Sequence, residues 1–493
     1  MPRACCLAIC RPAKPRTWIQ WWPLARIRLA LCPRYFCVLP LLAACASPLP
    51  PTVEVPSAWQ SVTEESSAWP SSEWWQAFGN PELSSLIIQA AESNRGLKAS
   101  VARILQAEAQ AKIVGASQWP LLSSVGSIGR SNSETRGAST STQATLQASY
   151  QVDLFGQVRA NAASATTRIE SSLYDRETLR ITFFSDVATT YLQILSVRDR
   201  LRLAEDRLRI AESLLALVEA QNRIGTVSNL ELVQQRAAIA SQRAAIPALR
   251  VSERQSVDAL AILMGQLPQN FDVVGRTLAD LKLPSIAPEL PAGLLDRRPD
   301  LRKAEADLRA NGFDVASARA ARLPSLQLTA QGGTASDALG SLFNAGTFFS
   351  NIAASLTAPL FSGNRLEGQE QAVRARRMEL AETYQQNVLS AFRDVEDALT
   401  ATTQNAIQFG FAQEAYVQSA EAYRLAELRY RAGTVNFQTV LNAQTTVIQS
   451  QEALIQSSLA RMTAVIALSK ALGGGWDGAT PQLLNLAESL VTQ

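Results

Sequence analysis

Arg223-Ile224-Gly225-Thr226-Val227 is a helical turning point. Apolar residues approach it at Leu201, Ala204, Leu208, Ala211, Leu215 and Val218, in alternating steps of three and four. They leave it at Leu230, Val233, Ala237, Ala240 and Ala244 in the same rhythm. That alternation is the seam of a coiled coil, narrower than the stripe of an ordinary surface helix. Gly225 suits the left-handed position that ends a helix. Ser228 and Glu231 form an S-x-x-E capping box that starts the next one. Two helices therefore run antiparallel and meet at a tight tip. Arg431-Ala432-Gly433-Thr434-Val435 repeats the device, with Asn436 as its N-cap, 431 − 223 = 208 residues later. Two copies this far apart indicate a duplicated architecture.

Composition removes several classes of function. The chain has 493 residues, 47% of them hydrophobic, enough for large buried interfaces, with no His and six Cys. Every Cys lies at or before Cys45. Common zinc sites and His-based acid–base catalysis lose their residues, so no catalytic residue, metal or cofactor is expected and the chain reads as a non-enzyme. Gly473-Gly474-Gly475 follows a helix instead of opening one, so it is no phosphate loop. Residues 1–44 hold seven bases and no acid, and without them the balance changes from 46 − 43 = +3 to 39 − 43 = −4. The basicity belongs to a leader, and no nucleic-acid partner is expected. Arg34, the apolar run Tyr35 to Leu42 and Leu42-Ala43-Ala44-Cys45 read as a secretory signal over 1–44. The run is too short to span a bilayer.

A Pro/Ser-rich tether and equatorial segment occupies 45–82, with Trp74, Trp75 and Phe78 as packing anchors. A first repeat covers 83–268, a linker 269–291, a second repeat 292–475 and a weakly ordered tail 476–493. Pro120 and Pro324 end corresponding helices, 324 − 120 = 204 residues apart. Between helices the period changes to two. From Thr142 to Leu154 the even positions are mostly apolar, including Leu146, Tyr150 and Val152. The odd positions are Gln143, Thr145, Gln147, Ser149, Gln151 and Asp153. Leu122–Arg130 is its partner strand and Ser131–Ser141 a polar loop, giving a β-hairpin at about 121–155 with some ten residues per strand. A second hairpin at about 324–361 carries Phe348, Ile352, Ala354, Leu356, Ala358 and Leu360 on one face. Each hairpin feeds a helix of roughly 100 Å, and Pro247 should kink the returning helix of the first pair.

No apolar segment after Cys45 is long enough for a transmembrane helix. An apolar face beside a Gln/Thr/Ser/Asn face fits lipid on one side and water on the other. A soluble sandwich would show similar alternation, but four strands could not shield such long helices. Four strands are also too few to close a barrel, and open edges are excluded from lipid. The barrel is therefore shared between subunits, with cyclic symmetry. A helical tube continued by a barrel is a conduit. A purely structural envelope coiled coil would explain the heptads but not the alternating strands.

These features resemble the TolC-like outer-membrane factors, in their NodT/OprM-type lipoprotein branch. The matching residues are Trp74-Trp75-x-x-Phe78, Asn80-Pro81-x-Leu83, Ala102-Arg103-x-x-Gln106-Ala107, Asp153-Leu154-Phe155-Gly156, Arg298-Pro299-Asp300-Leu301 followed by Ala304-Glu305, and the paired Gly-Thr tips. The resemblance implies a mainly α chain with membrane β. As a homotrimer it forms a twelve-stranded outer-membrane barrel continued by a periplasmic coiled-coil barrel. It implies lipidation at Cys45, and outer-membrane location in a Gram-negative bacterium. The implied role is export of small toxic compounds or drugs from a periplasmic adaptor and an inner-membrane resistance-nodulation-division pump. A type I secretion duct is the alternative. The tips Gly225, Thr226, Gly433 and Thr434 would dock the adaptor. Acidic rings that narrow the entrance in several relatives are replaced here by Thr439 and Asn442, so closure is expected from packing at Val435, Phe437 and Val440. Leu146, Tyr150, Val152, Ile352 and Leu356 would face lipid.

Overall fold

A computed structural model describes residues 56–60, 69–134, 137–286 and 291–476. The leader, Cys45 and the chain beyond Trp476 lie outside the described residues. The order is α1 (Pro81–Ser93), α2 (Arg95–Gly115), β1 (Leu121–Ser133), β2 (Gly137–Val152), α3 (Gln157–Arg223), α4 (Asn229–Leu263), α5 (Leu294–Arg297), α6 (Pro299–Ala320), β3 (Ser325–Ser336), β4 (Phe348–Thr357), α7 (Arg365–Arg431) and α8 (Phe437–Ala471). The duplication is strict in the long helices. α3 and α7 both have 67 residues, and α4 and α8 both have 35. α4 continues through Pro247 as one helix, although that residue supplies no N–H to the ladder.

The strands form one antiparallel sheet in the order β1-β2-β3-β4, so the two hairpins join through β2 and β3. The first hairpin is longer than its apolar pattern suggests: β1 has 13 residues and β2 has 16. Most of the stretch expected as a loop, Ser131–Ser141, is strand, with Ser131 opposite Ser139 and their hydroxyls 3.0 Å apart. A ladder needs backbone groups, not apolar side chains, and a Ser/Thr run hides it from hydrophobic periodicity.

At the equator, Trp74, Trp75 and Phe78 are buried with Leu83, Ile87, Phe184, Tyr191 and Met264. Asn80 caps α1, its Oδ1 accepting from Leu83 N–H at 2.9 Å. The described part of the linker after α4, residues 269–286, is strapped to the helices. Tyr191 donates to Glu82 at 2.8 Å, and Glu82 also accepts from the amides of Val274 and Gly275 at 2.6 and 2.8 Å. Asp199 accepts from Leu278 N–H at 2.9 Å. Two segments expected to be loose are packed at their described ends. Trp59 is buried against Phe392, and Trp476 is buried edge-on to Tyr174.

Each repeat closes on a left-handed glycine, 473 − 265 = 208 residues apart. A Cβ on Gly265 would stand 2.8 Å from the Ser93 carbonyl oxygen, and one on Gly473 would collide with that of Arg297. Just before each glycine a side chain holds the carbonyl at the helix end. Asn94 Nδ2 donates to Leu263 O at 2.9 Å, and Arg298 Nη1 to Ala471 O at 3.3 Å, again 208 residues apart.

The returning helix α4 corrects the first-hairpin seam. Leu230 and Val233 are 65% and 54% exposed, and Ala237, Ala240 and Ala244 are also exposed. Leu232, Gln235, Ile239 and Ile246 are buried instead, following the same 3-4 rhythm two residues later. The true seam contains glutamine, and Gln235 Nε2 donates to Ala211 O of α3 at 2.8 Å. A buried polar residue of this kind fixes the register of a coiled coil.

Candidate conduit wall and hairpin tips

Pairing partners share a face of a sheet, so the register sorts the side chains directly. Leu146 lies opposite Ser124 and Gly332; Tyr150 opposite Leu328; Val152 opposite Leu326, which in turn faces Leu356; and Ala330 opposite Ile352. The five residues expected to face lipid therefore lie on one face. Leu146, Ile352 and Leu356 are 53%, 85% and 66% exposed, and Tyr150 and Val152 are partly exposed. The other face carries the row Ser123, Gln147, Gln331 and Asn351, and below it Gln151, Gln327 and Ser355. No charged residue falls on that polar face within the described strands. Over β2 and β3 the sorting into a mostly apolar face and a face of hydrogen-bonding side chains suits a wall between lipid and water, while Leu121, Val125 and Phe349 share the polar face and Arg130 the apolar one in the outer strands. Among the described residues no helix is long and apolar enough to cross a membrane.

The tips are copies of each other in their hydrogen bonds. Gly225 and Gly433 have φ of +75° and +71°. Thr226 N–H donates to Gln221 O at 3.1 Å and Thr434 N–H to Arg429 O at 2.9 Å, each a six-to-one bond that closes a helix end. Each threonine hydroxyl adds a second bond to the same carbonyl, at 3.0 Å in both tips. Thr226 and Thr434 are thus C-terminal caps as well as exposed residues, a role the Gly-Thr spacing could have signalled. Asn436 caps α8 from Thr439 N–H at 3.0 Å. Ser228 accepts from Glu231 N–H at 3.4 Å, while the Glu231 carboxylate lies by Tyr430. Burial first, then Glu231, pushes the Tyr430 phenol above its ordinary range. Tyr430 also donates to Gln221 at 3.2 Å, so the second hairpin is hydrogen-bonded to the first.

The entrance residues separate into two groups. Phe437 and Val440 are 1% and 0% exposed, in a cluster with Leu214, Val218, Leu232, Ala426 and Tyr430, and Val435 packs against it. Phe437 and Val440 are enclosed by their own subunit's helices and hold one hairpin to the other, whereas Val435 keeps part of its surface exposed. Thr439 and Asn442 are exposed on α8 and uncharged. The two hairpins also differ along their flanks. Arg236, Arg243 and Arg250 pair with Glu219, Glu212 and Glu205 at 2.9, 2.6 and 3.2 Å, one bridge per heptad. The positions 208 residues later are Gln444, Gln451 and Ser458 opposite Glu427, Ala420 and Gln413, so the ladder is confined to the first hairpin.

The family model described as outer membrane efflux protein matches residues 86–266 and 290–474, one segment in each repeat. The chain belongs to the outer membrane efflux protein family. It is 38% identical over 467 residues to the pyoverdine export outer membrane protein OpmQ of Pseudomonas putida, covering 91% of this chain and 99% of that one. It is 30% identical over 418 residues to the toluene efflux pump outer membrane protein TtgC of Pseudomonas putida, covering 83% and 86%. Among solved structures, the open state of the Neisseria gonorrhoeae MtrE outer membrane channel superposes with a TM-score of 0.80 at 29% identity, over 88% of this chain and 98% of that one. This family member is an outer-membrane component of an efflux system. Its long helices and two-faced sheet are the helical and β-barrel parts of a TolC-like channel.

Proposed function

We propose that three copies close into a passive conduit through which an adaptor and an inner-membrane pump expel small molecules. One observation carries this: a four-stranded sheet with an apolar face, an uncharged polar face and two unpaired edges, β1 and β4. Such edges require partners in lipid. Three sheets give twelve strands, enough for a barrel with an open lumen. The exposed stripe Leu230, Val233, Ala237, Ala240 and Ala244 of α4 meets a neighbouring chain in the tube. Drugs and solvents are cargo classes to test, and the pyoverdine-export relative adds pyoverdine. Leu42-Ala43-Ala44-Cys45 supports a lipid anchor beside the barrel, and mass spectrometry of the mature N-terminus decides it. Loss of the anchor alone should leave trimers.

The tips dock the adaptor, and Gly225→Asp and Gly433→Asp test this. A Cβ at either glycine meets nothing within 4 Å, so only the left-handed conformation is strained, by about 1–2 kcal/mol. Trimer level should stay near normal while efflux and adaptor crosslinking fall sharply. Asn variants, which tolerate the conformation without adding charge, should keep both. Full efflux by the Asp variants at normal trimer level would remove the tips as docking sites.

A further inference from the structure

The residues 319–322 and 365–379 hold six arginines and three glutamates, a balance of 6 − 3 = +3, with Arg376 paired to Glu379. They are the end of α6 with the turn leading into β3, and the first turns of α7 after β4. Glu370 is 4% exposed and gathers three of these arginines. Arg322 Nη1 lies 2.7 Å from its Oε2, Arg374 Nη2 2.5 Å from its Oε1, and Arg319 Nε 3.7 Å from its Oε1. One carboxylate cannot neutralise three guanidiniums, and the arginine side chains remain 61% (Arg319), 49% (Arg322) and 53% (Arg374) exposed. Leu323 separates Arg322 from β3, while Leu360 and Phe361 separate β4 from α7. These three residues are 42%, 96% and 91% exposed.

The duplication supplies an internal control. Offsets of 204 before the hairpin and 208 after it place Gly115, Gln118, Ala162 and Thr166 where the second repeat has Arg319, Arg322, Glu370 and Arg374. The first repeat builds the same helix–strand joint without the cluster. The cluster is therefore not needed to make the joint, and its excess charge calls for an anion.

We propose that the Glu370-centred arginines seat the phosphate of an anionic phospholipid in the periplasmic leaflet, with Leu323, Leu360 and Phe361 against its acyl chain. The seat rests on the lipid-facing reading of the sheet, whose apolar face continues directly into these residues through Leu326 and Leu356. Guanidinium forks match phosphate oxygens bidentately. Apolar residues beside bases are the usual furniture of a membrane–water boundary. Lys112 and Trp119, the latter 74% exposed, give the β1 edge a smaller version of the same pairing.

The test uses the full-length protein in nanodiscs of equal phosphatidylglycerol and phosphatidylcholine, after protease protection of the hairpins has checked insertion. Native mass spectrometry then counts the lipids that stay bound. The expected preference for phosphatidylglycerol is about fivefold, the factor that one base near an anionic surface supplies. It should fall towards unity in the Arg322→Gln/Arg374→Gln double variant, and for the unaltered protein in 1 M salt. Arg236→Gln/Arg243→Gln on the flank of the first hairpin should leave it unchanged. If the double variant does not assemble, Arg374→Lys, which keeps charge but loses the fork, must lower the preference. Equal retention of both lipids by inserted protein overturns the seat. So does a preference that survives the double variant, or one that millimolar inorganic phosphate abolishes. Failure to insert strikes the barrel reading itself.

Discussion

Leu146→Arg places a guanidinium on the apolar face of β2. That face is apolar from Ala144 to Leu154, and its midpoint is level with residue 149, whose own side chain lies on the opposite face. Leu146 is three residues from the centre, ~10 Å along the strand at about 3.4 Å per residue. With the strand tilted by about 45°, this is ~7 Å along the membrane normal. The apolar band of such barrels is about 25 Å tall, so its half-height is ~12 Å. Arginine costs about 2–4 kcal/mol at the midplane and ~0–1 near the edges. Interpolation gives ~2 kcal/mol per chain for Leu146→Arg and ~3 kcal/mol for Ala148→Arg, which is one residue from the centre. Gln147→Arg lies on the polar face beside Ser123 and Gln331 and should cost less than ~1 kcal/mol, because the lumen is wet. Trimer yield in the outer-membrane fraction and the urea midpoint in vesicles read these differences. The order Ala148, Leu146, Gln147 is the expected ranking. Equal damage from Gln147→Arg and Leu146→Arg would mean a sheet buried on both faces, and the lipid–water assignment would fail.

Gly473→Ala should destabilise the chain by several kcal/mol more than Gly433→Ala, although both glycines have positive φ, because only Gly473 is pressed against a backbone carbonyl; thermal unfolding of the two trimers measures the difference. Tyr191→Phe leaves one hydrogen bond of Glu82 unmade in the strap and should cost about 1–3 kcal/mol, seen as faster proteolysis of the 269–286 segment. Hydrogen bonding from Arg322 holds the Glu370 carboxyl below its ordinary range. The linked stability is therefore full above the unfolded carboxylate value, about 4.3, and is lost as pH falls through the lower folded value. Glu370→Gln should remove that acid dependence from the thermal midpoint, and an unchanged pH profile would argue against it.

Much of the fold was legible because its determinants are local. Gly225 and Gly433 announce helix ends, since left-handed backbone excludes most other residues. Asn80 and Asn436 cap the helices they precede because a short side-chain oxygen reaches the first free amides. The period-two run from Thr142 to Leu154 fixes which side chains share a face, since consecutive residues of a strand point to opposite sides. The 208-residue repeat, the absence of His and the long helical periods needed no structure either.

What required the tertiary structure is every choice between two locally equivalent answers. α4 carries two stripes with the same 3-4 rhythm, through Leu230 and through Leu232, and only the position of α3 selects the second. The chosen stripe includes Gln235, whose amide is acceptable in the seam because Ala211 offers a carbonyl across the helix pair. Phe437 looked available for the entrance until Tyr430 and Val218 enclosed it. Gly473 differs from Gly433 only through Arg297, which lies 176 residues earlier by 473 − 297. The arginines around Glu370 come from the end of α6, the turn after it and the start of α7, on either side of the whole second hairpin, so their convergence has no sequence signature. Periodicity, caps and turns depend on neighbours a few residues away and were fixed by the chain alone. Burial, pairing partners and charge clusters depend on which distant surfaces meet, and packing decided them.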